Sequence, residues 1–146
     1  YLENGKAYKL KLQELDIDLR KSLSFIPPSK RVLVSCEGAF SYLANDYGMS
    51  EAYLWPVNAE SQVTPKRMLN LINLVKERQI PTIFCESTVS SKAQLEVAKA
   101  SGAKFGGTFY VDSLSDEKGP AATLLELQRH NVRLIQQGLA PESIKK

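Results

Sequence analysis

Six side chains carry the chemistry this chain could do: the carboxylates of Glu37, Glu86 and Asp112, the thiols of Cys36 and Cys85, and the imidazole of His130, its only histidine. A closed zinc site of cysteine and histidine takes about four such ligands, and the chain holds 2 Cys and 1 His. No CxxC, HExxH or EF-hand loop is present. Ser-His-Asp or Cys-His catalysis would have to use His130, which the flanking Arg129 and Asn131 place on a polar, solvated helix face. Carboxylate chemistry is left. Glu37, Glu86 and Asp112 each follow directly on a predicted strand. Carboxylates converging at one sheet edge repel one another, and a divalent cation supplies the counter-charge. Any one of them could instead be a first-turn helix acid favoured by the dipole. Three together point to a site.

The elements that would position these residues follow from periodicity. Tyr8, Leu12, Leu15, Leu19, Leu23 and Ile26 form one helical stripe over residues 2–25, ended by Pro27-Pro28. A helix of about 24 residues spans roughly 36 Å, long enough to be a strut between parts of a larger protein. Short β-rich runs at 31–35, 52–55, 81–85 and 104–111 then alternate with helices. The helices are predicted over 40–47 with Gly48 as C-cap, from Thr64-Pro65 with Met68, Leu69, Ile72 and Val75 inward, and from Ser90 or Ser91 to Gly102. The last spans about 121–137, with Leu124, Leu127, Leu134 and Ile135 inward and Gly138 as C-cap. Such alternation predicts the α/β class: a four-stranded parallel sheet flanked by helices, preceded by the long N-terminal helix. Ligands of such sheets bind beyond the carboxyl ends of the strands, where the three carboxylates stand. Gly106-Gly107 lies inside the fourth strand, where it permits a close backbone approach and forms no phosphate loop.

Composition narrows the class. With 146 residues, 43% hydrophobic and 24% charged, the chain has the size and balance of one globular domain. The net charge of +3 comes from scattered basic residues that never run longer than the pairs Arg20-Lys21, Lys30-Arg31, Lys66-Arg67 and Lys145-Lys146, so no nucleic-acid footprint is expected. No apolar run approaches the ~20 residues of a membrane helix. The chain opens at Tyr1-Leu2-Glu3 without Met, which reads as a start inside something longer. The cysteines leave three readings: a disulfide if the first and third strands are neighbours, two buried thiols, or Cys36 as a nucleophile with His130 as base. On residues alone, a metal-assisted α/β hydrolase is one function class and a metal-binding protein another.

Several separate motifs, in order, carry a resemblance. Val34-Ser35-Cys36-Glu37-Gly38-Ala39-Phe40-Ser41-Tyr42-Leu43 is similar to the V-T-S-E-G-A-F-x-Y segment of the manganese, zinc and iron solute-binding proteins of bacterial ABC importers. The likeness continues through Tyr53-Leu54-Trp55-Pro56-Val57-Asn58, Thr64-Pro65, Phe84-Cys85-Glu86-Ser87-Thr88-Val89-Ser90, Gly106-Gly107-Thr108-Phe109-Tyr110-Val111-Asp112-Ser113-Leu114-Ser115 and Gly119-Pro120, and so covers nearly the whole chain. The cysteine-containing variants look closest to the cyanobacterial manganese-binding type.

That resemblance implies one lobe of a two-lobed receptor: residues 1–26 as the connecting helix and 27–146 as the C-terminal metal-binding lobe. A missing N-terminal lobe would supply two histidines. Carried over by motif, Glu37 and Asp112 are the metal ligands and Glu86 takes a supporting position behind them. The first and third strands are neighbours in the family, which makes Cys36–Cys85 a disulfide candidate suited to an oxidising periplasm. Mn²⁺ is the expected cargo, with Zn²⁺ and Fe²⁺ as alternatives, because two carboxylates make a hard site. The resemblance further implies no enzyme activity, a membrane permease as partner, a monomer, and a periplasmic or cell-surface location, with a lipid anchor possible at a missing N-terminus.

Overall fold

The long apolar stripe folds as α1 (Leu2–Leu23) in the computed structural model, which describes residues 1–144. Lys145 and Lys146, the last basic pair, lie outside the described residues. Only the C-terminal half of α1 is packed. Leu19, Leu23 and, just past the helix, Ile26 are buried, whereas residues 1–14 are all exposed, Tyr8 and Leu12 included. A polar clamp holds the packed half. Asp16 accepts hydrogen bonds from the Tyr47 hydroxyl (2.8 Å) and from Arg20 Nε (3.2 Å). The Arg20 guanidinium also donates to the Asp46 carbonyl and lies 4.6 Å over the Tyr47 ring. Burial and the Asp16 carboxylate push the Tyr47 hydroxyl up to about 12, so it stays a donor.

Strand and helix then alternate: β1 (Val32–Glu37), α2 (Ser41–Asp46), β2 (Ser50–Trp55), α3 (Pro65–Arg78), β3 (Thr82–Glu86), α4 (Lys92–Ser101), β4 (Lys104–Phe109) and α5 (Leu124–Leu139). Helix starts follow local chemistry. Thr64 accepts from the Arg67 N–H, with Pro65 in the first turn. Thr123 accepts from the Glu126 N–H while its hydroxyl donates to the Glu126 carboxylate. The apolar strands are sealed by α-helical faces and by a ring cluster in which Phe109 stacks on Phe84 (4.6 Å between centroids) and meets Phe40 edge-on.

The strands are parallel, as the alternation requires, but the four-stranded sheet is built as two pairs. β1 pairs with β2, Val32 opposite Ser50 through Glu37 opposite Trp55. β3 pairs with β4, Thr82 opposite Lys104 through Glu86 opposite Phe109. The pairs meet along β1 and β3, and side chains replace the backbone ladder at that seam. Cys36 and Cys85 form a disulfide, with Cα atoms 4.8 Å apart. Buried Gln94 of α4 donates its amide to the carbonyls of Ser35 (3.0 Å) and Phe84 (2.9 Å).

Four details differ from the sequence reading. β4 stops at Phe109 rather than at position 111, because Asn131 of α5 takes both backbone groups of Tyr110 (3.1 and 2.8 Å). Gly138 lies inside α5 and the C-cap is Ala140. A Cβ at Gly138 would lie 2.8 Å from both Phe84 and Thr82, so this glycine serves close helix–sheet packing. Leu124 and Leu69 are exposed; Leu71 fills the α3 core position beside Val75. The Gly106-Gly107 expectation holds: a Cβ at Gly106 would collide with Thr82 and lie 2.5 Å from Phe84, and the β3–β4 register shifts at this point.

Candidate metal centre

Glu37 is the last residue of β1, which brings its side chain to the carboxyl end of the strands. Its backbone is tied on every side. The Ser35 hydroxyl donates to its carbonyl (2.7 Å), and the Gly38 N–H continues the ladder to Trp55 (3.0 Å). Oε1 of the Glu37 carboxylate accepts the backbone N–H of Asn58. Among the described residues Oε2 accepts no hydrogen bond, so it is the oxygen available to a cation. The carboxylate borders a polar cavity of about 360 Å³ lined by Glu37, Trp55, Asn58, Glu60, Ser61 and Thr88, together with Val89.

Glu86 ends β3 and is 1% exposed. Its carboxylate accepts the N–H groups of Cys36 (3.2 Å) and Glu37 (3.2 Å) across the seam. Burial pushes it up to about 7, against the opposing pull of the backbone donors. It faces the strand behind Glu37, so it holds the backbone that carries Glu37.

Asp112 lies in the loop after β4 and is exposed; among the described residues its carboxylate has no hydrogen-bond partner. Glu37 and Glu86 are therefore brought together, whereas Asp112 stands three residues beyond its strand. The one tight group of ligating residue types among the described residues is Cys36, Cys85 and Glu86, within 4.8 Å of one another. Its sulfurs are spent in the disulfide, so it offers no thiolate to a metal. The bond likewise removes Cys36 as a nucleophile. His130 is half-buried rather than solvated: Nε2 lies 2.9 Å from the Thr108 carbonyl and the ring meets Tyr110 edge-on, because α5 packs on β4. Asn58 stands in one of the resembling segments, with no role expected of it. It donates its backbone N–H to Glu37, and residue type carries no signal for such a bond beyond the tolerance of Asn for left-handed backbone.

The donor chemistry now has a family context. A family model described as the periplasmic component A of zinc-uptake complexes, ZnuA, matches residues 1–138. The chain belongs to the ZnuA family. It is 49% identical over 138 residues to the iron-binding protein YfeA of Yersinia pestis, covering 94% of this chain and 44% of that protein. With the manganese-binding lipoprotein MntA of Halalkalibacterium halodurans it shares 31% identity over 140 residues, 96% of this chain and 47% of the relative. Among solved structures, a Mn-bound serine-to-alanine mutant of a periplasmic metal-binding protein from Candidatus Liberibacter asiaticus superposes with a TM-score of 0.85 at 38% identity, covering 95% of this chain and 52% of that one. The periplasmic zinc-binding protein TroA of Treponema pallidum gives 0.80 at 28% identity, covering 92% and 50%. The chain spans about half the length of the relatives it matches. These relatives are named for the iron, manganese or zinc they bind, and a further one, 30% identical over 140 residues, is the metal ABC transporter substrate-binding lipoprotein SsaB of Streptococcus sanguinis.

Proposed function

We propose that this chain is the C-terminal lobe of an ABC-importer receptor that captures a divalent metal, with Glu37 and Asp112 as its two ligands and Mn²⁺ as the cargo. The observation that carries the reading is the Glu37 carboxylate. It ends β1 at the ligand-binding edge of the sheet, one oxygen held by Asn58 and the other free, and it stands in the motif that matches the family's ligand. Oxygen donors of this kind are hard, which suits Mn²⁺, although the general affinity order runs toward Zn²⁺. Relatives named for iron, manganese and zinc make Fe²⁺ and Zn²⁺ the competing cargoes. Residues 1–26 act as the connecting helix: the exposed first half of α1 is what a second lobe would cover, and that lobe would supply two histidines. Residues 27–146 form the metal lobe. Glu86 supports the site by holding the Glu37 backbone. The receptor works as a monomer in the periplasm or at the cell surface and hands its ion to a membrane permease. The names of its relatives, periplasmic and lipoprotein, support that location, and no helix among the described residues is long and apolar enough to cross a membrane.

The test is calorimetric titration of the full-length protein with Mn²⁺, Zn²⁺ and Fe²⁺. Asp112→Ala is expected to weaken Mn²⁺ binding by orders of magnitude. Unchanged affinity sinks the ligand assignment, and a clear preference for Fe²⁺ or Zn²⁺ over Mn²⁺ replaces the cargo.

A further inference from the structure

The loop that follows β2 does more than connect. Pro56 to Ala59 form a β-turn closed by the Ala59 N–H on the Pro56 carbonyl (3.1 Å). Asn58 occupies its third position at φ +60, and Val57 before it has negative φ, the signs of a type II turn. In such a turn the N–H of the third residue is not used by the turn itself. Here it points at Glu37 and donates to Oε1. The turn is held in place on both sides. The Gly38 N–H bonds to Trp55 ahead of it, and the Glu60 carboxylate accepts the Ser90 N–H behind it (3.3 Å).

We infer that Asn58 is a positioning residue for the metal site: its left-handed backbone aims one N–H at Glu37 Oε1, so that the carboxylate presents Oε2 to the cation. The inference rests on Glu37 being a ligand. Left-handed backbone costs an ordinary L-residue, glycine takes it freely, and asparagine tolerates it. The side chain at position 58 thus matters through the conformation it permits and not through a contact of its own. A β-branched residue there turns the N–H away. The carboxylate then loses the donor that fixes its rotation, and an ion must order it on binding. A hydrogen bond to a charged group of this kind corresponds to about ten- to hundredfold in a binding constant.

The experiment uses the full-length protein and Mn²⁺, read by calorimetry, with the melting temperature of the metal-free protein as a second readout. Asn58→Val is expected to lose about ten- to hundredfold in Mn²⁺ affinity, while Asn58→Gly, which keeps the turn, stays near the parent. In a Glu37→Ala background, Asn58→Val is expected to change nothing further, because the group it orients is gone. Asn58→Val binding like the parent, while Glu37→Ala binds far more weakly, overturns the positioning role and leaves the ligand reading intact. Glu37→Ala binding like the parent overturns both. If Asn58→Val does not fold, Asn58→Ala takes its place: a smaller loss that Gly restores supports the inference, and equal affinities for Ala, Gly and Asn overturn it.

Discussion

Removing the Cys36–Cys85 bond tests how the two strand pairs are joined. Along β1 and β3 no backbone ladder runs, and the disulfide closes a loop of 49 residues across that seam. In the chain-entropy treatment, closing a loop of that size removes about 14 cal/mol/K from the unfolded ensemble, or about 4 kcal/mol at room temperature. With a urea dependence of about 2 kcal/mol/M for a domain of this size, the midpoint falls by about 2 M on reduction. The assay is equilibrium urea unfolding with and without a phosphine reductant, followed by the fluorescence of Trp55. It is the only tryptophan, 1% exposed and next to the Glu37 cavity, so it reports on this seam. Both sulfurs are fully buried, so the reductant acts on the unfolded chain and the reduced curve must be approached from both directions. A shift below about 0.5 M, which corresponds to about 1 kcal/mol, refutes the reasoning. It would mean that Gln94, Glu86 and the packing of β1 on β3 hold the seam by themselves.

Three further perturbations follow from the packing. Gln94→Leu removes the donor to the Ser35 and Phe84 carbonyls and leaves two buried acceptors without partners; a loss of about 2 kcal/mol in chemical unfolding is expected, and an unchanged midpoint argues that these carbonyls find other donors. Gly106→Ala drives a methyl into Thr82 and to 2.5 Å from Phe84, which should cost about 1–3 kcal/mol by overpacking; a neutral result in thermal melting contradicts the close approach. Tyr47→Phe deletes the 2.8 Å hydrogen bond to Asp16, and about 1 kcal/mol of lost stability should show as faster amide exchange in the C-terminal half of α1. Exchange unchanged there would mean that Leu19 and Leu23 alone dock the helix.

What could be read in advance was local. Thr64-Pro65 and the glycines at 48 and 102 announce helix ends because capping depends on residues a few positions apart, whereas the last helix, expected from about 121, starts at Leu124 behind the Thr123 cap. The lower half of the α1 stripe is read correctly because its spacing follows the helical period. The misreadings are tertiary. Asn131 ends β4 from 21 residues away, and Gly138 answers to Phe84 and Thr82 rather than to its own helix end. His130 finds the Thr108 carbonyl only after α5 has packed on β4. At the site, the motif around Glu37 was legible, and so was the pairing of the cysteines once the family likeness made β1 and β3 neighbours. The resemblance put Glu86 in a supporting position; which groups its buried carboxylate accepts, the N–H groups of Cys36 and Glu37, was not legible. The Asn58 contact was not legible, because a backbone N–H has no residue type.

The most direct measurement is diffraction from crystals of the full-length protein grown with Mn²⁺, with anomalous data collected on both sides of the manganese edge. A manganese peak bonded to Glu37 Oε2 and to Asp112, with Oε1 still accepting the Asn58 N–H, is the predicted result. A peak that touches neither carboxylate contradicts the assignment of this lobe's ligands.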